Sequence, residues 1–418
     1  MTKAQLFKQL ERVYPAKYCT DLNDFDHNIE DCKRIIDLYY KYGYKTPSQL
    51  LMRFASLSKH REAFVKKNGL GSSDSHSMFV ARMQADLRDS VKHNKTSVER
   101  VASSFGIKDQ NLIKELAELS IVNEARRLAH LEGTRRQRYE SIVELYRSQV
   151  TLSHRTSQSM LLQQYSTPAP LGYVMGCYCN VDKFENTYRN VDMLFEPSAG
   201  NGLLTIAARA FRCVVNELDT VRNYNLKTQG YYGVYDQDAS LDLRNIVREK
   251  NSGGFKAVIT NPPFDSLDEP IMFGESPIKV LDHVMCIRAL DCMRDDGRAA
   301  LIIGGHTNWD KKGRIQAGKN RIFFSYLHRH YNVDDAINIS GKLYSRQGTS
   351  FNVRMILIDG RKTKNNTDFP PLYNSASDTT VNTFDELWTR ATRYFDKTTS
   401  ILELEAEALA LELELLNF

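Results

Sequence analysis

Asn261-Pro262-Pro263-Phe264 follows directly on an apolar run at residues 257–260. Prolines fix the backbone and cannot donate to a strand ladder, so the double proline reads structurally as a rigid strand exit. Such an exit can also hold two oxygen acceptors in fixed positions, the Asn261 side-chain oxygen and the Pro262 carbonyl. The amino nitrogen of a nucleobase is a poor nucleophile because its lone pair is delocalised into the ring. Accepting both of its hydrogens favours a tetrahedral nitrogen whose lone pair can attack. Phe264 then offers a flat face on which a base could stack.

A second cluster supplies a place for the electrophile. Phe195-Glu196-Pro197-Ser198-Ala199-Gly200-Asn201-Gly202 follows a candidate strand and precedes residues 203–211, which read as helical. Its glycines permit a tight turn and let a ligand approach the backbone near a helix amino terminus. About twenty residues on, the next strand ends in Asn216-Glu217-Leu218-Asp219, where Glu217 is placed to accept from ribose hydroxyls. A similar interval leads to Asp236-Gln237-Asp238-Ala239, with Asp238 where an adenine edge would lie. Each acid alone reads as an ordinary surface residue. The shared spacing, one β-α unit per site, ties them to one ligand.

The elements that must position these residues are α/β. Candidate strands lie at 193–195, 213–216, 257–260, 299–303, 335–339 and 353–358, alternating with helical stretches. This is the pattern of a doubly wound, mostly parallel, Rossmann-like sheet. Up to about residue 163 the chain is poor in glycine and proline and carries apolar residues at helical spacing, as in Ile113, Leu116, Leu119, Ile121 and Leu128. We therefore expect an all-helical module over 1–160, the α/β domain over 161–362 and a loop with a helical Leu/Glu/Ala tail over 363–418. Thr46, Pro47 and Gln49 read as a capped helix start. Residues 68–77 read as a loop.

The chain has 418 residues, a formal charge of +5 and seven cysteines. Cys177 and Cys179 are the only close pair, with no second pair or histidine cluster beside them, so thiols that bind no metal are expected. No long uncharged apolar run or leader-like start stands out, so a cytoplasmic protein off the membrane is expected. The first 155 residues carry an excess of about eight positive charges, with Arg126, Arg127, Arg135, Arg136, Arg138, Arg147 and Arg155 prominent. These read either as a solvated helix face or as a phosphate-contacting surface. Tyr39, Tyr40, Tyr42 and Tyr44 could stack on bases, although such tyrosines more often pack between helices.

Together, the glycine turn and Asn261-Pro262-Pro263-Phe264 resemble motifs I and IV of amino-group DNA methyltransferases. Gln164-Tyr165-Ser166-Thr167-Pro168 resembles their motif X, Met293-Arg294-Asp295-Asp296-Gly297-Arg298 their motif VI, and Gly348-Thr349-Ser350-Phe351-Asn352-Val353 the motif VIII region. The order X, I, IV resembles the gamma-type adenine-specific enzymes, including restriction-modification and phage or mobile-element methylases. The likeness covers residues 150–362.

It implies S-adenosylmethionine as cofactor. Tyr165, Thr167 and Pro168 would meet its methionine part, and Glu196, Pro197, Ala199, Gly200 and Gly202 would surround it. Glu217 and Asp238 would take its ribose and adenine. Asn261, Pro262, Pro263 and Phe264 would hold the target base, flipped out of duplex DNA. Direct transfer from the sulfonium needs no metal and no covalent enzyme intermediate.

The chain departs from the pattern after motif VIII, where about sixty residues remain, little for a separate recognition domain. DNA would then be gripped mainly through phosphates, with relaxed specificity, by the basic module (Arg135, Arg136, Arg138) and the loop carrying His306, Asn308, Lys311, Lys312, Arg314, Lys319 and Arg321. A homodimer or an additional subunit remains open. Alternative readings are methylation of RNA, of a cytosine 4-amino group or of a protein glutamine, and a non-catalytic cofactor- or DNA-binding subunit.

Overall fold

A computed structural model describes residues 73–151, 166–184, 192–250, 253–362, 369–375 and 378–395. The cap at Thr46, the tyrosines at 39–44, Arg155, Tyr165 and the tail at 401–418 lie outside the described residues.

Among the described residues four helices come first: α1 (Ser73–Arg88), α2 (Lys95–Ser104), α3 (Gln110–Ala129) and α4 (Arg135–Ser148). Side chains accept from the otherwise unsatisfied N–H groups of three first turns. Asn94 and Ser97 form a capping box, Asp109 accepts from the Leu112 N–H, and Thr134 and Gln137 form a second box. Residues 73–77 belong to α1 rather than to the expected loop. Serine and aspartate disfavour helix interiors but suit a first turn, which makes such a start resemble a loop. The apolar residues at 113, 116, 119 and 121 are buried on α3, as are Lys114, Glu115, Glu118 and Glu124. This helix is enclosed on nearly every side, and one of its faces covers the site described below.

Seven strands form one sheet: β1 (Leu194–Glu196), β2 (Cys213–Asn216), β3 (Gly233–Tyr235), β4 (Phe255–Thr260), β7 (Met293–Gly304), β8 (Tyr331–Ile339) and β9 (Val353–Arg361). Their order is β3-β2-β1-β4-β7-β9-β8, parallel except for β9, which runs antiparallel between β7 and β8. This is the doubly wound, mostly parallel sheet with amino-terminal helices expected from the sequence. A separate hairpin, β5 (Ser266–Phe273) with β6 (Ser276–Val280), follows Phe264. It escapes sequence reading because its prolines and exposed charged residues break the alternation of a half-buried strand.

Alternate strand residues face opposite layers. Leu194, Val215, Ile259 and Ile302 pack in a core with residues of α3, α4, α5 (Ala169–Tyr178) and, after α6 (Thr220–Lys227) and α7 (Arg244–Lys250), the later α10 (Phe384–Ala391). Phe195, Val214, Val258 and Leu301 face α8 (Leu281–Leu290) and α9 (Lys319–His330). Tyr139 of α4 stacks on Trp388 of α10 at 4.5 Å and donates to the Phe384 carbonyl, which joins the first helices to the last. No helix among the described residues is long and apolar enough to cross a membrane.

Residues 203–211, expected to be helical, instead form 3-10 turns at Leu203–Thr205 and Ala210–Arg212. The reason is α5, which lies against them so closely that only glycine fits at its contact points. A Cβ on Gly172 would stand 2.4 Å from the Leu203 carbonyl oxygen, and one on Gly176 would stand 2.5 Å from the Ala207 Cβ. All ten residues of α5 are buried, so it has no polar face and shows no helical hydrophobic period.

Candidate active site

The carboxyl ends of β1, β2 and β4 open into one cavity, with an empty volume of about 1130 Å³ including the part open to solvent. The chain runs from β1 outward to β3 and then returns to β4 on the other side of β1. The cavity therefore sits where strand order reverses, the usual ligand position in such sheets. Thr167, Pro197, Ala199, Gly200, Glu217, Asp238, Asn261, Pro262, Pro263 and Phe264 all line it. Residues from five separate stretches of sequence are thus brought together.

The glycine turn is held by an acid rather than by a helix. Gly200 adopts a φ of +56°, and its N–H donates to Glu217 Oε2 at 2.7 Å. Glu217 Oε1 accepts from the Asp219 N–H at 2.8 Å, and burial pushes this carboxyl up to about 6 against the pull of Arg222. Only a short 3-10 turn starts after Gly202, so the polar groups that the glycine turn offers are backbone N–H groups and the carboxylates beside it. Asn216, to which sequence reading assigned no role, binds the strand ends together. Its amide donates to the carbonyls of Pro197 and Gln237, and its oxygen accepts from the Gln237 N–H. Asp238 accepts from the Ser240 N–H, an arrangement that fixes its short loop beside the cavity.

Three expected cofactor residues stand behind this surface. Glu196 is fully buried at the end of β1, where burial drives its carboxyl well above the ordinary range, and it accepts from the Ser198 N–H and hydroxyl. Gly202, at φ +103°, makes room for Tyr231, whose hydroxyl would lie 2.3 Å from an added Cβ. Pro168 is the N-cap residue that precedes α5.

At the other end of the cavity the Asn261 amide nitrogen donates to Thr167 Oγ1 at 2.7 Å, while its buried Oδ1 has no hydrogen-bond partner among the described residues. Fixing the nitrogen on Thr167 leaves the oxygen as the acceptor at the cavity. Burying an unsatisfied amide oxygen costs about 1–3 kcal/mol, which a hydrogen-bond donor entering the cavity would relieve. The Phe264 ring leans on Gly304, where an added Cβ would stand 3.1 Å from the ring. The Gly304 peptide is held on both sides: its N–H donates to Asp282 Oδ2 at 3.0 Å and its carbonyl accepts from Arg354 at 2.9 Å. Burial pushes Asp282 up to about 6 and Arg354 down to about 10. Phe351, 58% exposed, lines the cavity as well.

The side contributed by α3 was not legible in the sequence. Glu118 lines the cavity and accepts from the Ser166 hydroxyl at 2.7 Å. Glu115 accepts from Arg222 at 2.8 Å and from the Asn201 amide at 2.7 Å. The only hint was a pair of acids one turn apart within the apolar stripe of a single helix.

The basic residues fall into two groups. Arg126 donates to Gln229, Thr205 and Tyr231, and Arg127 pairs with Glu124. Arg135 is held by Asp182 and Asn180, Arg136 by Glu140 and Asp385, and Arg138 reaches the carbonyls of Ala129 and Gly133. Arg314 and Arg321 both pair with Asp310, His306 Nε2 lies 2.9 Å from the Ile339 carbonyl, and the Asn308 carbonyl accepts from the Gln316 N–H. Lys311, Lys312 and Lys319 are exposed.

No family model matches the chain, and no curated protein matches it. Solved structures do. A modification subunit of a provisionally assigned type I restriction enzyme from Vibrio vulnificus is 13% identical over 71% of this chain and 64% of its own, with a TM-score of 0.36. The type IIG restriction endonuclease BpuSI is 12% identical over 81% of this chain and 42% of its own, with a TM-score of 0.40. A provisionally assigned class I S-adenosylmethionine-dependent methyltransferase from Listeria monocytogenes is 9% identical over 94% of this chain and 99% of its own, with a TM-score of 0.38. The chain thus spans less than two thirds of the first two. Likeness at this level carries no argument about this chain, so what it does must be argued from the site. The sheet order, with β9 inserted antiparallel, makes this chain a mixed α/β protein with a mostly parallel, doubly wound sheet.

Proposed function

We propose that the chain transfers a methyl group from S-adenosylmethionine to the 6-amino group of adenine in DNA. The observation that carries this reading is Asn261. Its amide nitrogen is tied to Thr167 and its buried oxygen lacks a partner among the described residues, at the rim of a cavity shared with Gly200, Glu217 and Asp238. The residues suit the cofactor: two carboxylates at neighbouring strand ends match ribose hydroxyls and an adenine amine, and the left-handed glycine turn keeps side chains out of the way. When bound, S-adenosylmethionine supplies an electrophilic methyl group on a sulfonium.

Asn261 Oδ1 accepts one hydrogen of the adenine amine and the Pro262 carbonyl accepts the other, which turns the nitrogen lone pair toward the methyl group. Phe264, braced by Gly304, stacks on the base. The new bond joins the amine nitrogen to the methyl carbon as the sulfur–carbon bond breaks. The displaced amine proton passes to water, because a neutral amide cannot keep it. A base buried in a duplex cannot reach this cavity, so it is flipped out at a cost of a few kcal/mol. Phosphate contacts from the exposed Lys311, Lys312 and Lys319 fit relaxed sequence preference.

Mass spectrometry of nucleosides from DNA incubated with the protein and S-adenosylmethionine tests the reading. N6-methyladenine is expected, and Asn261→Ala is expected to lower the rate at least about a thousandfold while cofactor affinity stays within about twofold. Methyl transfer to cytosine, RNA or protein instead, or no transfer at all, overturns it.

A further inference from the structure

Helix α3 presents to the cavity a carboxylate that no role above uses. Glu118 is 2% exposed and lines the cavity, with the Ser166 hydroxyl donating to its Oε2. Its neighbour one turn earlier is satisfied very differently. Glu115 accepts from Arg222 and Asn201 and has Lys114 at 3.3 Å. Among the described residues Glu118 forms no ion pair. Burial and the charge of Glu115 push its carboxyl up, against the pull of Arg222, Lys114 and the Ser166 hydroxyl. A buried carboxylate of this kind is costly until a cation joins it.

Its position within the cavity decides which cation. Ser166, which Glu118 binds, precedes Thr167, which binds Asn261. Glu217 and Asp238 come instead from the ends of β2 and β3. Glu118 therefore belongs with the methionine half of the ligand. A carboxylate placed against the sulfonium itself would favour the charged ground state over a transition state in which that charge is being lost. Resting on the reading that the ligand is S-adenosylmethionine, we infer that Glu118 receives the α-ammonium of its aminoacyl part. Helix α3 then contributes a wall of the cofactor site, and the cavity selects ligands that carry an amino-acid tail.

Calorimetric titration of the full chain without DNA tests this, using S-adenosylhomocysteine and 5′-methylthioadenosine, which lacks the tail. Glu118→Gln is expected to weaken S-adenosylhomocysteine about ten- to hundredfold, the worth of one charge-assisted hydrogen bond, and to change 5′-methylthioadenosine by less than about twofold. In the unsubstituted protein, affinity for S-adenosylhomocysteine should fall as pH is lowered, because free Glu118 takes up a proton that the ammonium must displace. Affinity for 5′-methylthioadenosine should not fall in this way. Equal losses for both ligands in the variant, or no loss, overturn the inference. Should the variant not fold, equal pH dependence of the two ligands on the unsubstituted protein overturns it. If neither ligand binds the unsubstituted protein, the cofactor assignment itself has failed. If both bind but no DNA is methylated, only the substrate assignment has.

Discussion

The two walls of the cavity are built on opposite principles. On the sheet side, short turns at the ends of β1, β2 and β4 do the positioning, and residues close in sequence lie close in space. Gly200, Glu217 and Asn261 each sit within a few residues of a strand end, and parallel pairing of β1 with β2 and β4 aligns those ends. On the helical side, Glu118 reaches the cavity from a helix that ends more than sixty residues before β1, and ion pairing of the buried Glu115 with Arg222 docks it. A wall made of turns tolerates change in the residues around it, whereas a wall docked through buried charge is only as stable as its partners.

The largest expected effect is on the docked wall. Glu115→Ala removes the ion-paired carboxylate of the buried Arg222 and should cost about 3–5 kcal/mol, read from chemical denaturation. A cost below about 1 kcal/mol would show that α3 is not held this way. On the turn wall, Glu217 has a carboxyl raised by burial, so the folded protein binds more protons than the unfolded chain between the ordinary carboxyl range and about 6. Stability of the cofactor-free protein should therefore decline as pH rises through that window. Glu217→Gln should remove up to about 2 kcal/mol of that decline.

A smaller effect is expected at Gly304. Alanine there should displace the Phe264 ring and lower methyl transfer about tenfold with cofactor affinity unchanged, as single-turnover rates and equilibrium binding would register. The smallest effect at any one salt concentration separates the two basic groups. Replacing Lys311, Lys312 and Lys319 by alanine should reduce the salt slope of DNA affinity by about three, whereas Arg136→Ala, which removes contacts to Glu140 and Asp385, should leave the slope unchanged. The reverse result would move the DNA face onto the helices.

Much of the turn wall was legible beforehand because a parallel sheet converts a regular interval in sequence into a row of strand ends. Six of the seven sheet strands were anticipated, whereas β3, three residues long, was inferred only from the acid that follows it. Helix α5 was not anticipated. Burial on every side erased the period that marks a helix, and its two glycines, which let it settle on Leu203 and Ala207, have low helix propensity. The same close packing explains why residues 203–211 coil into 3-10 turns.

The amino-acid sequence by itself determined the α/β class, the order of the glycine turn, the two acids and Asn-Pro-Pro-Phe, and the chemistry that these residue types allow. Those properties are local, arising from turn stereochemistry and the periodicity of single strands. Only the tertiary structure decided that Asn261 directs its nitrogen to Thr167, that the Phe264 ring packs against Gly304, and that arginines of α3 and α4 pair within the protein. Each of these depends on contacts between residues distant in the chain, and long-range burial and charge pairing leave no periodic trace in the sequence.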